Sequence, residues 1–94
     1  MFEIRFRGED TVVLSGRLDA SHEAVAESFL AALDRSMTVD FGELKYIGSN
    51  GLGLLFAAQA RLLEKGESLK LVNLNEHLRY VFRLGGFDTL FDIE

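Results

Sequence analysis

The stretch Leu44-Lys45-Tyr46-Ile47-Gly48-Ser49-Asn50-Gly51-Leu52-Gly53 carries the chain out of a strand and into a helix. Ile47 closes an extended approach, and from Leu52 onward the apolar spacing changes. Leu52, Leu55, Phe56, Leu62 and Leu63 fall on one side of a helix, with Arg61 and Lys65 on the other. Gly66 closes that helix as a C-cap glycine. Upstream, Met37 to Phe41 reads as a strand and Gly42-Glu43 as a turn. A strand, a glycine-rich turn and an amphipathic helix form half of a strand-helix-strand unit. Leu69 to Val72 supplies the other strand.

Further toward the N-terminus, Phe2, Ile4 and Phe6 share one face of a strand, with Glu3, Arg5 and Arg7 on the other. Gly8-Glu9-Asp10 turns the chain into a β-branched strand, Thr11 to Ser15, and the short connection predicts an antiparallel hairpin. Gly16 ends that strand. Asp19 or Ser21 caps a helix running to about Asp34, with Val25, Phe29, Ala32 and Leu33 as its buried stripe. Toward the C-terminus, Asn75 caps a third helix with Leu78, Val81 and Phe82 inward. Gly85-Gly86 stops it, and Phe91 to Ile93 adds a short final strand. This alternation predicts the α/β class: a single mixed sheet of four to five strands, with amphipathic helices mainly on one face. At 94 residues the chain is read as one domain, residues 1–94.

Composition narrows the function. A 48% hydrophobic content supplies a core without metal or disulfide support, and the absence of cysteine excludes thiolate metal sites and fits a reducing, cytoplasmic setting. A net charge of −5 opposes nucleic-acid backbones. The alternating start, Met1 to Arg7, lacks the continuous apolar stretch of an export signal. The apolar region Leu52 to Ala60 is far too short for direct membrane insertion. No cofactor is expected.

The glycine-rich turn does not complete a nucleotide motif. Phe56 stands where a dinucleotide fingerprint needs a small residue, and no Gly-Lys-Ser/Thr ending follows. As a nucleophile elbow it is half made: Gly51 follows Ser49 at the right distance, but Ile47 stands where the preceding glycine belongs. A serine-dependent hydrolase therefore stays as an alternative, with His22 or His77 as its base. His22-Glu23 begins a zinc helix motif that Ala26 leaves unfinished. Glu9, Asp10, Asp19, Glu43, Asp88 and Asp92 fall mainly at turns and helix ends, where carboxylates cap and solubilise. Ser49 is the residue left over. Its hydroxyl either caps the helix, with Asn50 as competitor, or carries a regulatory phosphate at the positive end of the helix dipole.

Val39-Asp40-Phe41, the turn Ile47 to Gly53, Leu69-Lys70-Leu71-Val72-Asn73, Leu84-Gly85-Gly86-Phe87-Asp88 and Gly16-Arg17-Leu18-Asp19 occur in an order that resembles the STAS domain of anti-sigma-factor antagonists. The resemblance covers nearly the whole chain. It implies a non-enzymatic regulatory module that acts by phosphorylation-controlled partner switching. Its partner would be an anti-sigma factor or a related serine kinase. The family turn reads Asp-Ser-Ser-Gly-Leu-Gly, and its phosphorylated first serine matches Ser49. Gly48 replaces the family aspartate, and Asn50 replaces the second serine. A divergent, non-phosphorylated STAS module in another signalling or transport assembly is the alternative within the same fold. The expected partner surface comprises Gly48, Ser49, Asn50, Gly51, Leu52 and Gly53. It continues along the helix through Leu54, Ala57, Ala58 and Arg61, with Leu54 directed away from the buried stripe and exposed.

Overall fold

A computed structural model describes all 94 residues, Met1 to Glu94. The elements run β1 (Phe2–Arg7), β2 (Thr11–Leu18), α1 (Glu23–Ala31), β3 (Met37–Ile47), α2 (Ser49–Leu63), β4 (Leu69–Val72), α3 (Glu76–Leu84) and β5 (Asp92–Ile93). Short 3-10 turns, Ala20–His22 and Phe87–Thr89, precede α1 and β5. The five strands form one mixed sheet whose spatial order, β1-β2-β3-β4-β5, is the order of the chain. β1 and β2 are an antiparallel hairpin, and the remaining neighbours are parallel. Parallel neighbours need a crossover, and α1, α2 and α3 supply the three.

Alternation along the strands divides the sheet into two unlike faces. Val12, Val39 and Leu71 stand opposite one another across three strands. With Leu14, Phe41 and Leu69 they join a single core cluster of 21 buried residues that includes side chains of all three helices. Phe82 of α3 meets Phe41 edge to face at 5.8 Å and Phe91 at 5.9 Å. The opposite face carries Arg5, Val13, Asp40 and Val72 in one row. Ion pairs cross this face, Arg5 to Glu43 at 3.4 Å and Arg7 to Asp40 at 2.8 Å. The helices thus share one face, as the single-stripe pattern predicts.

Two strands are longer than expected, for one reason. β2 passes through Gly16 to Leu18, and β3 passes through Gly42-Glu43 to Ile47. The β2–β3 register shifts twice, between Val13 and Ser15 and between Gly16 and Arg17, and each time the extra residue is in β3, so Gly42 marks a bulge and Gly16 lies opposite the second one, neither ending its strand. At Gly16 φ is +84°, and a Cβ would lie 2.0 Å from the Met1 carbonyl oxygen, so only glycine fits. At the β3 bulge the Asp40 carboxylate accepts from the Gly42 N–H at 2.8 Å, from Asn73 at 3.1 Å and from Arg7 at 2.8 Å. Burial opposes the charge on Asp40, but these donors outweigh it and hold the carboxyl below its ordinary pKa.

The helix stripes are rotated from the expected ones. In α1 the buried residues are Ala26 and Leu30, continued by Leu33, whereas Val25 and Ala32 are exposed and Phe29 is half-buried. The helical run stops at Ala31 rather than near Asp34. In α2, Leu52, Leu55, Ala58, Gln59 and Leu62 are buried, and Phe56 and Leu63 point to solvent. The end of α2 follows the Schellman pattern: Glu67 N–H donates to the Leu62 carbonyl and Gly66 N–H to that of Leu63, with Gly66 at φ +77°. α3 matches its expectation, and Asn75 Oδ1 caps it by accepting from Leu78 N–H at 2.8 Å.

Candidate functional site

The parallel strands β2 and β3 end side by side, and the loops leaving them build the site. Gly48 N–H donates to the Leu18 carbonyl at 3.0 Å, which ties the Ser49 turn to the start of the Asp19 loop. Crevices at the carboxyl ends of parallel strands are where α/β folds expose adaptable residues. In the Asp19 loop the carboxylate accepts from Ser21 N–H at 3.2 Å and from Ser21 Oγ at 2.8 Å. It also lies 2.8 Å from His22 Nδ1. The Ser21 hydroxyl, followed by His22, holds the Asp19 carboxyl below its ordinary pKa.

Neither Ser49 nor Asn50 caps α2. Gly48 occupies the N-cap position in an extended conformation and offers no side chain, while Ser49 is the first helical residue and is exposed. Asn50 reaches sideways, its Nδ2 donating to Glu23 Oε2 at 3.1 Å, and so links the first turns of α1 and α2. Gly51 is buried because the first turn of α2 presses onto the ends of β2 and β3. A Cβ there would lie 2.9 Å from both Ile47 Cγ1 and Leu18 Cγ. Gly48 is under no such constraint, since the nearest atoms to a Cβ would be Tyr46 Oη at 3.6 Å and the Leu18 carbonyl at 3.7 Å. Gly53 faces open solvent.

Residues seven apart on a helix nearly superimpose in direction. Ser49, Phe56 and Leu63 therefore form one line down the outer face of α2. Gly53, Ala57 and Ala60 flank it, and all of these residues are exposed. Phe56 is 39% and Leu63 51% exposed, and Phe56 leans on Phe87 with ring centroids 5.7 Å apart. A helix face with no charged group between Asn50 and Leu63 is an unusual thing to leave in water.

The expected contact residues separate accordingly. Ser49, Asn50, Gly53 and Ala57 are exposed at the turn and along this face, and Gly48 is half-buried beside them. Gly51 is buried and has no side chain to offer, and Leu52 and Ala58 are buried with theirs packed in the core cluster. Leu54 is half-buried against the core, not exposed. With Leu30, Ala57 and Ala58 it lines a groove of about 210 Å³ between α1 and α2. Arg61 lies in the same groove with its guanidinium committed, donating to the carbonyls of Leu33 at 2.8 Å and Leu30 at 2.9 Å. It closes the C-terminal end of α1.

Three further participants escape a reading of the sequence. Arg17 lies 4.4 Å above the Tyr46 ring and, with it, flanks the turn. They are direct partners in the β2–β3 register, which a strand ending at Gly16 conceals. The third is Glu23, whose link to Asn50 leaves no sequence signal. Of the hydrolase bases, His22 is engaged by Asp19 and Ser21, and His77 is exposed on α3; neither bonds to Ser49.

The mixed five-stranded sheet with its three helices has the STAS fold, and similarity to known proteins gives the family. Residues 2–92 match the family model described as "Mlab, STAS domain". The chain belongs to the STAS-domain family. It is 31% identical over 84 residues to BtrV of Bordetella bronchiseptica, a protein named as an anti-sigma factor antagonist, covering 85% of this chain and 72% of BtrV. Among solved structures, the anti-sigma factor antagonist SpoIIAA in its unphosphorylated form superimposes with a TM-score of 0.75 at 22% identity, over 100% of this chain and 88% of that one. The Bacillus cell fate determinant SpoIIAA in its phosphorylated form gives 0.72 at 20% identity, over 100% and 91%. The fold is that of the anti-sigma-factor antagonists.

Proposed function

We propose that this chain is a regulatory binding module of the anti-sigma-factor-antagonist type, without catalytic activity of its own. Its outer α2 face docks on a protein partner, and phosphorylation of Ser49 controls the docking. The observation that carries this reading is the line of Ser49, Phe56 and Leu63. A modifiable hydroxyl stands at the head of an exposed apolar helix face, so the charge is added where docking would be felt and folding would not. A phosphoserine adds about −1.5 to −2 charges. At the first position of α2 the helix dipole favours that charge by roughly 0.3 to 1 kcal/mol, so the domain keeps its fold. Against a partner's apolar or acidic patch the same charge meets desolvation and repulsion, and the complex opens. By analogy with the names of its relatives, the partner is an anti-sigma factor, and the switch itself calls for a serine kinase.

The test is binding to a partner isolated by pull-down. Ser49→Ala should bind like the parent, whereas Ser49→Asp and enzymatically phosphorylated protein should bind more weakly, all with nearly parental melting temperatures. Phe56→Asp should abolish binding and spare the fold. Equal affinity of phosphorylated and unmodified protein would overturn the switch.

Gly48 favours a second reading within the same fold, a STAS module that binds without being switched. A Cβ at Gly48 would make only ordinary contacts, so close packing at Cβ does not demand glycine there. If Gly48→Asp creates a kinase substrate out of a chain that is otherwise not phosphorylated, this second reading holds.

A further inference from the structure

We infer that the free edge of β1 is the contact between two copies of this chain, joined antiparallel about a two-fold axis that passes midway between the two Ile4 residues. β1 is the outermost strand of the sheet, and its outer side is unpaired. Arg17 N–H donates to the Met1 carbonyl at 2.8 Å, which makes Met1 and Arg17 a hydrogen-bonded pair of the hairpin. In an antiparallel ladder such pairs recur at every second residue. Glu3, Arg5 and Arg7 therefore spend their backbone groups on Ser15, Val13 and Thr11. The N–H and C=O groups of Phe2, Ile4 and Phe6 point out of the sheet edge, ready to pair.

A second copy of the same strand can meet these groups only in registers that place Phe2, Ile4 and Phe6 opposite one another. With Ile4 opposite Ile4 of the second copy, Phe2 faces Phe6 and Glu3 faces Arg5, twice each by symmetry. Shifting the register one way sets Arg5 against Arg5. Shifting it the other way sets Glu3 against Glu3. Like charges directly opposite are destabilising and opposite charges stabilising, and although the first shift also brings Glu3 opposite Arg7, of these three registers only the one centred on Ile4 has no like-charge pair. Arg5 already lies 3.1 Å from Glu3 of its own strand, and pairing would turn that contact into a four-charge cluster across the axis.

The flank of the edge agrees. Phe6 is 55% and Val25 58% exposed, and Phe6 stacks on Phe29 with ring centroids 4.9 Å apart. Val25 precedes Phe29 by one helical turn, so both face the β1 side of α1. A two-fold at Ile4 sets this apolar strip against its own copy, as an isologous contact requires. It extends the sheet to ten strands and leaves the outer face of α2 open on each copy.

Sedimentation equilibrium of the full chain should show reversible dimers. Arg5→Glu or Glu3→Arg should each weaken association by roughly tenfold, and the double swap should restore it, because each charge again finds its opposite. Circular dichroism checks that the exposed substitutions leave the fold intact. The parent has no cysteine, so the register can be read by oxidation. Ile4→Cys should give a covalent dimer. Phe6→Cys alone should not, because residues four apart on a strand are displaced by about 13 Å. A chain that stays monomeric up to millimolar concentration, or Phe6→Cys cross-linking as readily as Ile4→Cys, would overturn the inference.

Discussion

Gly51 and Gly53 are two residues apart on one helix and predict opposite responses to the same substitution. Gly51→Ala drives a methyl to 2.9 Å from Ile47 and Leu18; it should cost about 1 to 3 kcal/mol as α2 lifts from the sheet ends. Gly53→Ala meets nothing within 4 Å and should raise stability by about 0.5 to 1 kcal/mol through helix propensity. Thermal melts of the two variants distinguish a packing glycine from one that keeps a surface flat. Gly48→Asp should add a cap worth a few tenths of a kcal/mol, since glycine is nearly as good as aspartate there. At this scale the sequence is partly legible. The strand-to-helix turn and the prominence of Ser49 can be read from residue order. The cap cannot, because Gly48, Ser49 and Asn50 all suit that position, and only the hydrogen bond from Gly48 to Leu18 decides among them.

At the scale of elements, legibility follows polarity. α3 mixes charged and apolar residues, so the spacing of Leu78, Val81 and Phe82 is enough to identify its buried face. α1 and α2 carry Ala, Val, Phe and Leu nearly all round, and periodicity alone cannot choose which face is buried. It therefore places Phe56 and Leu63 inward, where the fold turns them out, while Gln59, an interruption in the apolar run, is a buried anchor. Its amide accepts from Leu69 N–H at 2.8 Å and donates to the Leu90 carbonyl at 2.8 Å, holding β4 and the C-terminal segment together. Gln59→Leu should lower stability by about 1 to 3 kcal/mol by stranding those partners. Arg61→Ala strips the carbonyls of Leu30 and Leu33 of their donor and should cost about as much. Arg61 is therefore a poor probe of binding, and a melting curve must accompany any affinity measured on it. The strand bulges are illegible for a related reason, because glycine marks a bulge and a turn alike.

For the whole molecule, the shifted carboxylates set the pH dependence. Asp40, Asp19 and Glu67 all have folded-state pKa values below their ordinary ones. The unfolded chain therefore takes up protons first on acidification, and stability falls as the pH drops from about 5 through the folded-state values. Asp40→Asn should flatten the acid limb of a melting-temperature profile; an unchanged limb would show that the Arg7 and Asn73 contacts contribute nothing. Lys70 is shifted upward by Glu94, so its small contribution is lost only in strong alkali. Chelators should leave the melting temperature where it was, because no cluster of His, Asp and Glu is arranged to hold a metal ion. The strands lie in space in the order in which they are translated. Each new strand needs only an edge that the previous one has just provided, and none must be inserted between two already paired. Loop closures therefore stay short, and a chain still emerging from the ribosome can bury its growing core from the N-terminus onward.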